Sequence, residues 1–172
     1  MGITAGLFLG AIGDIFLLPR GAGVPFLIGL ISFLVGHICY IAAFFAVPYE
    51  LTWLIAALCV NTVRSFLIWK KMDGAAKTSK MRSPAVVAYI FVITVMVTVA
   101  AANVGAAFEA ASSPVALFTE YPATIFRFLG AELFYFSDIC VARERFVTSS
   151  PVNKYFGLPL YYGAQVILAY WI

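Results

Sequence analysis

The sequence predicts an all-α fold, a polytopic bundle of about six transmembrane helices in one domain, residues 1–172. Composition is the first observation that predicts it, because 63% of the residues are hydrophobic, only 11% are charged and the mean hydropathy is +0.99. The second is the length of the apolar runs, each close to the ~20 residues that a helix needs to cross a bilayer. This composition excludes a water-soluble domain, and the net charge of +3 gives no reason to expect a nucleic-acid partner.

Apolar length, together with the Pro, Gly and charged residues between the runs, divides the chain into six spans. They are predicted at about 2–19, 23–46, 51–69, 84–108, 123–142 and 155–172.

Spans one and two carry small and polar residues on single helical faces. In span one Gly6, Gly10 and Gly13 recur beside Asp14, and small residues at that spacing let a neighbouring helix approach closely. In span two His37 and Tyr40 share a face with further glycines and phenylalanines at three- and four-residue steps. We therefore expect both faces, including the Asp14 carboxylate, to be buried in protein rather than in lipid.

Spans three to five are recognised by apolar length, with ionisable residues in two of them. Span three contains Arg64, and span four begins at Pro84. Span five places Asp138 on one side and Glu132 on another, and we assign Glu132 no catalytic role.

Span six contains Gln165, three and four residues after Tyr162 and Tyr161. This spacing indicates a second polar stripe that faces the bundle. The phenol rings themselves are interpreted first as packing and interfacial anchors.

Basic residues indicate the orientation of the bundle. Nine of the eleven lie in the odd-numbered loops: Arg20, Lys70, Lys71, Lys77, Lys80, Arg82, Arg143, Arg145 and Lys154. The even-numbered loops and their edges hold only acids: Glu50, Glu109 and Glu120. The positive-inside rule therefore predicts a multi-pass protein of the cell membrane whose odd loops are cytoplasmic and whose two termini lie outside.

This topology places the polar side chains in two layers, at 1.5 Å of rise per residue. The layer near the cytoplasmic ends holds two acids and a guanidinium: Asp14, Asp138 and Arg64. The layer nearer the bilayer middle holds His37, Tyr40 and Gln165. An unpaired charge in hydrocarbon costs about 2.5–3.5 kcal/mol even on lenient scales, so such residues favour a functional polar interior.

Several runs together resemble a known family. They are GDIFLLP at 13–19, FLIGLISFLVGHICYIAAF at 26–44, GAELFYFSDICVARERF at 130–146 and GLPLYYGAQVILA at 157–169, with Pro84, Tyr89 and Met96 between them. In this order they are similar to the YhhN or lysoplasmalogenase family of polytopic membrane proteins. That family usually has eight spans, so the chain is expected to begin at the equivalent of the third.

The resemblance implies hydrolysis of the vinyl ether bond of a lysoplasmalogen, which is a lysophospholipid, to a fatty aldehyde and a glycerophospho-base. No cofactor is implied, and the surrounding partners are membrane lipids. The residues that match the family's polar positions are Asp14, His37, Tyr40, Asp138, Tyr162 and Gln165.

The chemistry of a vinyl ether suits these residues, because hydrolysis needs a proton donor and a group that activates water. We expect Asp14 and Asp138 to share those two roles, in either order, with His37 as a proton relay or orienting group. Tyr40 and Gln165 are expected to position water or the ether oxygen. Arg64, backed by Arg143 and Arg145, is expected to meet the lipid phosphate.

Other interpretations remain open at this point. Asp14 or Asp138 could pair with Arg64 simply to fix helix register. Asp14, His37 and Asp138 could bind iron or zinc, although one histidine makes a metal site weak. A proton-coupled transporter or small channel would also place ionisable residues inside the membrane. The sequence does not decide the oligomeric state.

Overall fold

The computed structural model describes residues 2–18, 23–77 and 79–171, and these ranges contain seven α-helices and no strand. The helices are α1 (Gly2–Leu17), α2 (Val24–Phe45), α3 (Leu51–Ala75), α4 (Pro84–Ala110), α5 (Pro114–Glu120), α6 (Pro122–Ala142) and α7 (Pro151–Tyr170). A 3₁₀ turn (Ser79–Arg82) precedes α4, and a π-helical turn (Arg143–Val147) follows α6. Arg20, one of the basic residues used to predict the orientation, lies outside the described residues.

The predicted helical membrane bundle is confirmed. Within the described residues, α2, α3 and α4 are long and apolar enough to cross a bilayer. Helix α1 is apolar but has only 16 residues, and α6 includes three ionisable side chains, Arg127, Glu132 and Asp138. That α1, α6 and α7 also cross the membrane, which would give six spans, therefore stays a prediction.

Helix boundaries differ from the predicted spans where local capping overrides hydropathy. Helix α7 begins at Pro151, earlier than the predicted start at about 155, because the Ser150 hydroxyl accepts a hydrogen bond from the Val152 amide and Pro favours the first helical turn. The short α5 was not predicted, although it too has a serine cap, Ser113, followed by Pro114.

Helix α4 lies at the centre of the bundle, where it packs against α2, α3 and α6. Helix α1 packs along α2, and α7 packs along α6. Helices α1 and α7 also meet each other, but over a much smaller contact. The five helices α1, α2, α4, α6 and α7 therefore form a ring, with α3 packed on α4 from outside.

The buried face predicted for α2 is confirmed. His37 and Tyr40 are each 1% exposed, and the glycines and phenylalanines that share their face are buried as well. The glycines of α1 bring the two helices together, because the Tyr40 ring lies against Gly6 and a Cβ at Gly36 would lie 3.2 Å from the Gly6 carbonyl. The Ser32 hydroxyl also donates to the Leu9 carbonyl at 2.7 Å.

Side-chain hydrogen bonds join α3 to the ring. The Ser65 hydroxyl lies 2.8 Å from that of Thr94 on α4 and 2.9 Å from that of Tyr135 on α6. One nitrogen of Arg64 donates to both carboxylate oxygens of Glu132, at 3.0 and 2.9 Å. Polar bonds of this kind hold helices together in lipid, where apolar surfaces gain little by contacting each other.

Gly6 generates a prediction about packing. A methyl group there would overlap the Tyr40 ring, which is buried. We expect Gly6→Ala to destabilise the purified protein by about 1–3 kcal/mol, the usual cost of overpacking a core. The measurement is thermal unfolding in detergent.

The matched control is Gly74→Ala on α3, where an added Cβ has no neighbour within 4 Å. This change should leave the melting temperature equal or slightly higher, because alanine favours a helix over glycine. Equal melting temperatures for the two variants would show that the packing of α1 on α2 is not as close as described.

Candidate active site

A large cavity of about 880 Å³ opens at the end of the bundle that carries the loops after α1, α3 and α6. Six helices contribute to its wall, which is mainly apolar, with Phe26, Ile68, Trp69 and Ile93 among the lining residues. Its volume lies within the roughly 300–1,000 Å³ of cavities that bind small molecules. Helices α1, α2, α3, α4 and α6 line the cavity with residues from the half nearest those loops, and α7 lines it with residues between Asn153 and Tyr162.

Asp14 on α1 and Asp138 on α6 both line this cavity. They are far apart in the sequence, and the ring of helices brings them to one space. The Asp138 side chain is 20% exposed, and Asp14 is half-buried. Both carboxylates are therefore reachable from the cavity while most of their surroundings are protein.

Asp138 is held by two neighbours. The hydroxyl of Tyr89, on α4, donates to Asp138 Oδ2 at 2.6 Å, a short and therefore strong bond. His37 Nε2, on α2, lies 3.9 Å from the same oxygen, which is too far for a direct hydrogen bond. His37 Nε2 is fully buried, so the carboxylate of Asp138, and not the imidazole, is the group that meets the cavity.

The protonation of the His37 ring follows from its other contact. His37 Nδ1 lies 2.6 Å from the Phe33 carbonyl, and a carbonyl can only accept, so Nδ1 carries the proton. In the neutral ring Nε2 is then an acceptor. Within the described residues this buried atom has no hydrogen-bond partner, so it offers a lone pair beside Asp138.

Asp14 stands at the end of a directed chain of hydrogen bonds. The Tyr40 hydroxyl donates to Gln165 Oε1 at 3.2 Å, and Gln165 Nε2 donates to the Tyr161 oxygen at 2.7 Å. Tyr161 in turn donates to Asp14 Oδ2 at 2.7 Å. A Cβ at Gly10 would lie 2.9 Å from Gln165 Nε2, so a glycine there leaves room for the Gln165 side chain in this series of hydrogen bonds.

The predicted site residues occupy different positions relative to the cavity. Asp14, Asp138 and Tyr162 line it, and Tyr162 is 58% exposed. His37 contacts the lining from behind, beside Asp138, while Tyr40 and Gln165 support Tyr161. Their roles as catalytic or substrate-binding groups stay predictions.

Arg64 has a different environment from the one expected. It does not pair with Asp14 or Asp138, because its guanidinium bonds Glu132 and lies over the Tyr135 ring at 4.2 Å. The interpretation that an aspartate pairs with Arg64 to fix helix register is therefore wrong. Arg64 is also not among the described cavity-lining residues, so its predicted contact with a phosphate has no geometric support here.

Two tyrosines with direct contacts to the acids were not predicted as site residues. Tyr161 is 8% exposed and bonds Asp14, and Tyr89 bonds Asp138. The signal for Tyr161 was present, because it precedes Gln165 by one helical turn. Tyr89 occurs in the family resemblance, but nothing local in the sequence indicates which acid it meets.

The metal-triad alternative is not supported by the geometry. Across residues 2–18, 23–77 and 79–171, no three His, Cys, Asp or Glu side chains lie close enough together to hold a metal ion. Asp14, His37 and Asp138 thus do not form a ligand set.

The opening of the cavity is lined by a second group of polar residues, the rim, which we define as Glu144, Arg145, Ser149, Asn153 and Lys154. Glu144 Oε1 accepts from the Ser149 hydroxyl at 2.6 Å, and Oε2 accepts from the Ser150 amide at 2.8 Å and from Asn153 Nδ2 at 2.9 Å. These bonds, with that of Ser149 the largest, lower the pKa of Glu144 to about 2. Glu144 is therefore ionised at physiological pH.

Comparisons with known proteins show the family of this chain. No solved structure matches the chain. One similar protein is bovine (Bos taurus) "Lysoplasmalogenase TMEM86A", which is 31% identical over 171 residues, 97% of this chain. The chain spans 63% of the length of that relative. The model of the YhhN family matches residues 1–171, so this membrane protein belongs to the YhhN family.

Proposed function

We propose that the cavity binds a lysoplasmalogen and hydrolyses its vinyl ether bond, releasing a fatty aldehyde and a glycerophospho-base. The name of the bovine relative supports this substrate. The observation that carries the proposal is that Asp14 and Asp138, from two distant helices, line one mainly apolar cavity and each accept a hydrogen bond from a different tyrosine.

The apolar wall fits the substrate's hydrocarbon chain. Burying such a chain against residues such as Ile68 and Ile93 gains roughly 25 cal/mol for each Å² removed from water. With the orientation predicted by the basic loops, the opening faces the cytoplasm and takes lysolipid from the inner leaflet.

The first chemical step is protonation of the alkenyl carbon distal to the ether oxygen. The π electrons form the new C–H bond, and the adjacent carbon becomes an oxocarbenium ion. We assign this proton to Asp14. Tyr161 donates to its Oδ2, so Oδ1 is the oxygen that carries the acidic hydrogen. The carboxylate formed stays beside the cation and stabilises it.

Water attack is assigned to the other side of the cavity. A water held by Asp138 on the cavity side, with His37 behind the carboxylate, adds its oxygen to the oxocarbenium carbon and gives one proton to Asp138. The resulting hemiacetal collapses as Asp138 returns that proton to the departing glycerol oxygen. Asp14 takes the hemiacetal hydroxyl proton, so both acids regain their starting states.

The two carboxylates generate the first test of this function. We expect Asp14→Asn and Asp138→Asn each to lower kcat by about 10² to 10⁴, the usual contribution of a positioned acid or base. The measurement is aldehyde release from a lysoplasmalogen by purified protein in detergent. An alkyl-ether lysolipid without the double bond should release none.

Asp73→Asn is the matched control. Asp73 lies near the same end of the bundle, outside the described cavity lining, and its only described side-chain partner is the exposed Arg82. Exposed ion pairs contribute little to stability, so this variant should keep wild-type activity. Aldehyde release that survives both Asp14→Asn and Asp138→Asn would reject the proposed function.

Tyr161 generates a second prediction. Tyr161→Phe removes the hydrogen bond to Asp14 and the acceptor of Gln165 while keeping the ring. We expect kcat to fall about 10- to 150-fold with little change in KM, because one charge-assisted bond is worth roughly 1.5–3 kcal/mol. The measurement is steady-state kinetics on the same lysoplasmalogen.

Tyr155→Phe on the same helix controls for loss of a phenol hydroxyl, since Tyr155 is 78% exposed and lies outside the described cavity lining. Equal kcat values for the wild type and both variants would exclude a role for the Tyr161 hydroxyl in orienting Asp14.

A further inference from the structure

Two groups of polar residues line the cavity at different depths. The inner group contains Asp14, Tyr89, Asp138 and Tyr161, and the other is the rim. On α7 the apolar Leu158, which also lines the cavity, lies between Lys154 of the rim and Tyr161 of the inner group. A ligand that satisfies both groups must therefore carry polar atoms at two separate positions.

Helix geometry gives the spacing of the two groups. Arg145 follows Asp138 by seven residues, and Lys154 precedes Tyr161 by seven, so the backbones are separated by about 10 Å at 1.5 Å per residue. A lysine side chain extends several ångströms from its backbone. The few ångströms that remain are on the length scale of the glycerol unit that joins an ether oxygen to a phosphate in a lysophospholipid.

The rim carries charges of both signs. Glu144 is fixed as a carboxylate by three hydrogen bonds from neutral donors, which leave its negative charge in place. The guanidinium of Arg145 donates to the Leu17 carbonyl at 2.6 Å and lies 5.5 Å from the Phe26 ring centre, so it is held at the opening between α1 and α2. Lys154 is exposed beside Glu144 and is the most adaptable of the three.

We propose that the rim is a head-group subsite for a zwitterionic phospho-base, in which Lys154, with Arg145 beside it, binds the phosphate and Glu144 faces the ammonium. This inference rests on the proposed function, because it takes the reacting bond to lie at Asp14 and Asp138. It replaces Arg64 with Lys154 as the main phosphate-binding residue. A lysine binds phosphate as a mobile point charge, which suits a head group near water.

The test measures binding, so it does not depend on turnover. The probes are an octyl-ether glycerophosphocholine and the matching octyl-ether glycerol, neither of which has a vinyl ether to hydrolyse. Binding is followed by calorimetry with the purified protein in detergent. We expect the wild type to prefer the phosphocholine compound at least tenfold and Lys154→Gln to lose most of that preference, with binding of the glycerol ether unchanged.

Lys154→Arg should restore much of the preference, because it restores the positive charge. The control is Lys71→Gln, which removes one exposed charge from the same end of the bundle, outside the described cavity lining, and should change neither affinity. If Lys154→Gln keeps the wild-type preference, the subsite is wrong. If Lys154→Gln and Lys71→Gln weaken binding of the phosphocholine compound equally, Lys154 is only part of a general surface charge, and the subsite is again wrong.

A third probe tests the part assigned to Glu144. An octyl-ether glycerophosphoglycerol keeps the phosphate but has no ammonium, so it should bind several-fold more weakly than the phosphocholine compound. Equal affinity would overturn the role of Glu144. Failure of the proposed function would be seen in a different experiment. The protein would then release no aldehyde from a vinyl ether, whatever head-group preference the binding probes show.

Discussion

Two carboxylates in an apolar helix bundle need hydrogen-bond donors, and here tyrosine hydroxyls from other helices supply them. Tyr161 on α7 bonds Asp14 on α1, and Tyr89 on α4 bonds Asp138 on α6. An unsatisfied polar group in such surroundings costs several kcal/mol, so these bonds restrict which helices can be neighbours. The same contacts therefore hold the ring of helices together and orient the acids toward one cavity.

Residues that support the two acids also pack the helices against each other. Gly10 lets α1 approach α7, and it also leaves space for the Gln165 amide that directs the Tyr161 hydroxyl toward Asp14. His37 is a buried core residue whose Nδ1 bonds its own helix, and this bond leaves Nε2 as an acceptor facing Asp138. The same side-chain contacts therefore set the packing of the helices and the positions of the hydrogen-bonding protons. A change in the packing of α1 is expected to affect the packing and these proton positions together.

The helical membrane class, the buried face of α2 and the position of Asp14 and Asp138 inside the bundle could be predicted from the sequence, because hydropathy and helical periodicity are local properties. Pairing between helices could not, since it depends on which helices are neighbours and on their rotation. Arg64 shows this limit: its depth suggested Asp14 or Asp138 as a partner, but α3 packs outside the ring and Arg64 meets Glu132. Tyr161 had the right spacing from Gln165, yet a tyrosine in a membrane helix is equally typical of packing.

The central claim is that the side chains at 14 and 138 face one water-reachable, ligand-binding space. It is tested most directly by cysteine labelling in a protein whose native cysteines, Cys39, Cys59 and Cys140, are replaced. Single cysteines at positions 14 and 138 should react with a small water-soluble thiol reagent, and an octyl-ether lysophospholipid should protect both, while a cysteine at the buried Thr98 should stay unreactive. Labelling at only one of the two positions, or labelling of both that the lysolipid does not slow, would contradict the account.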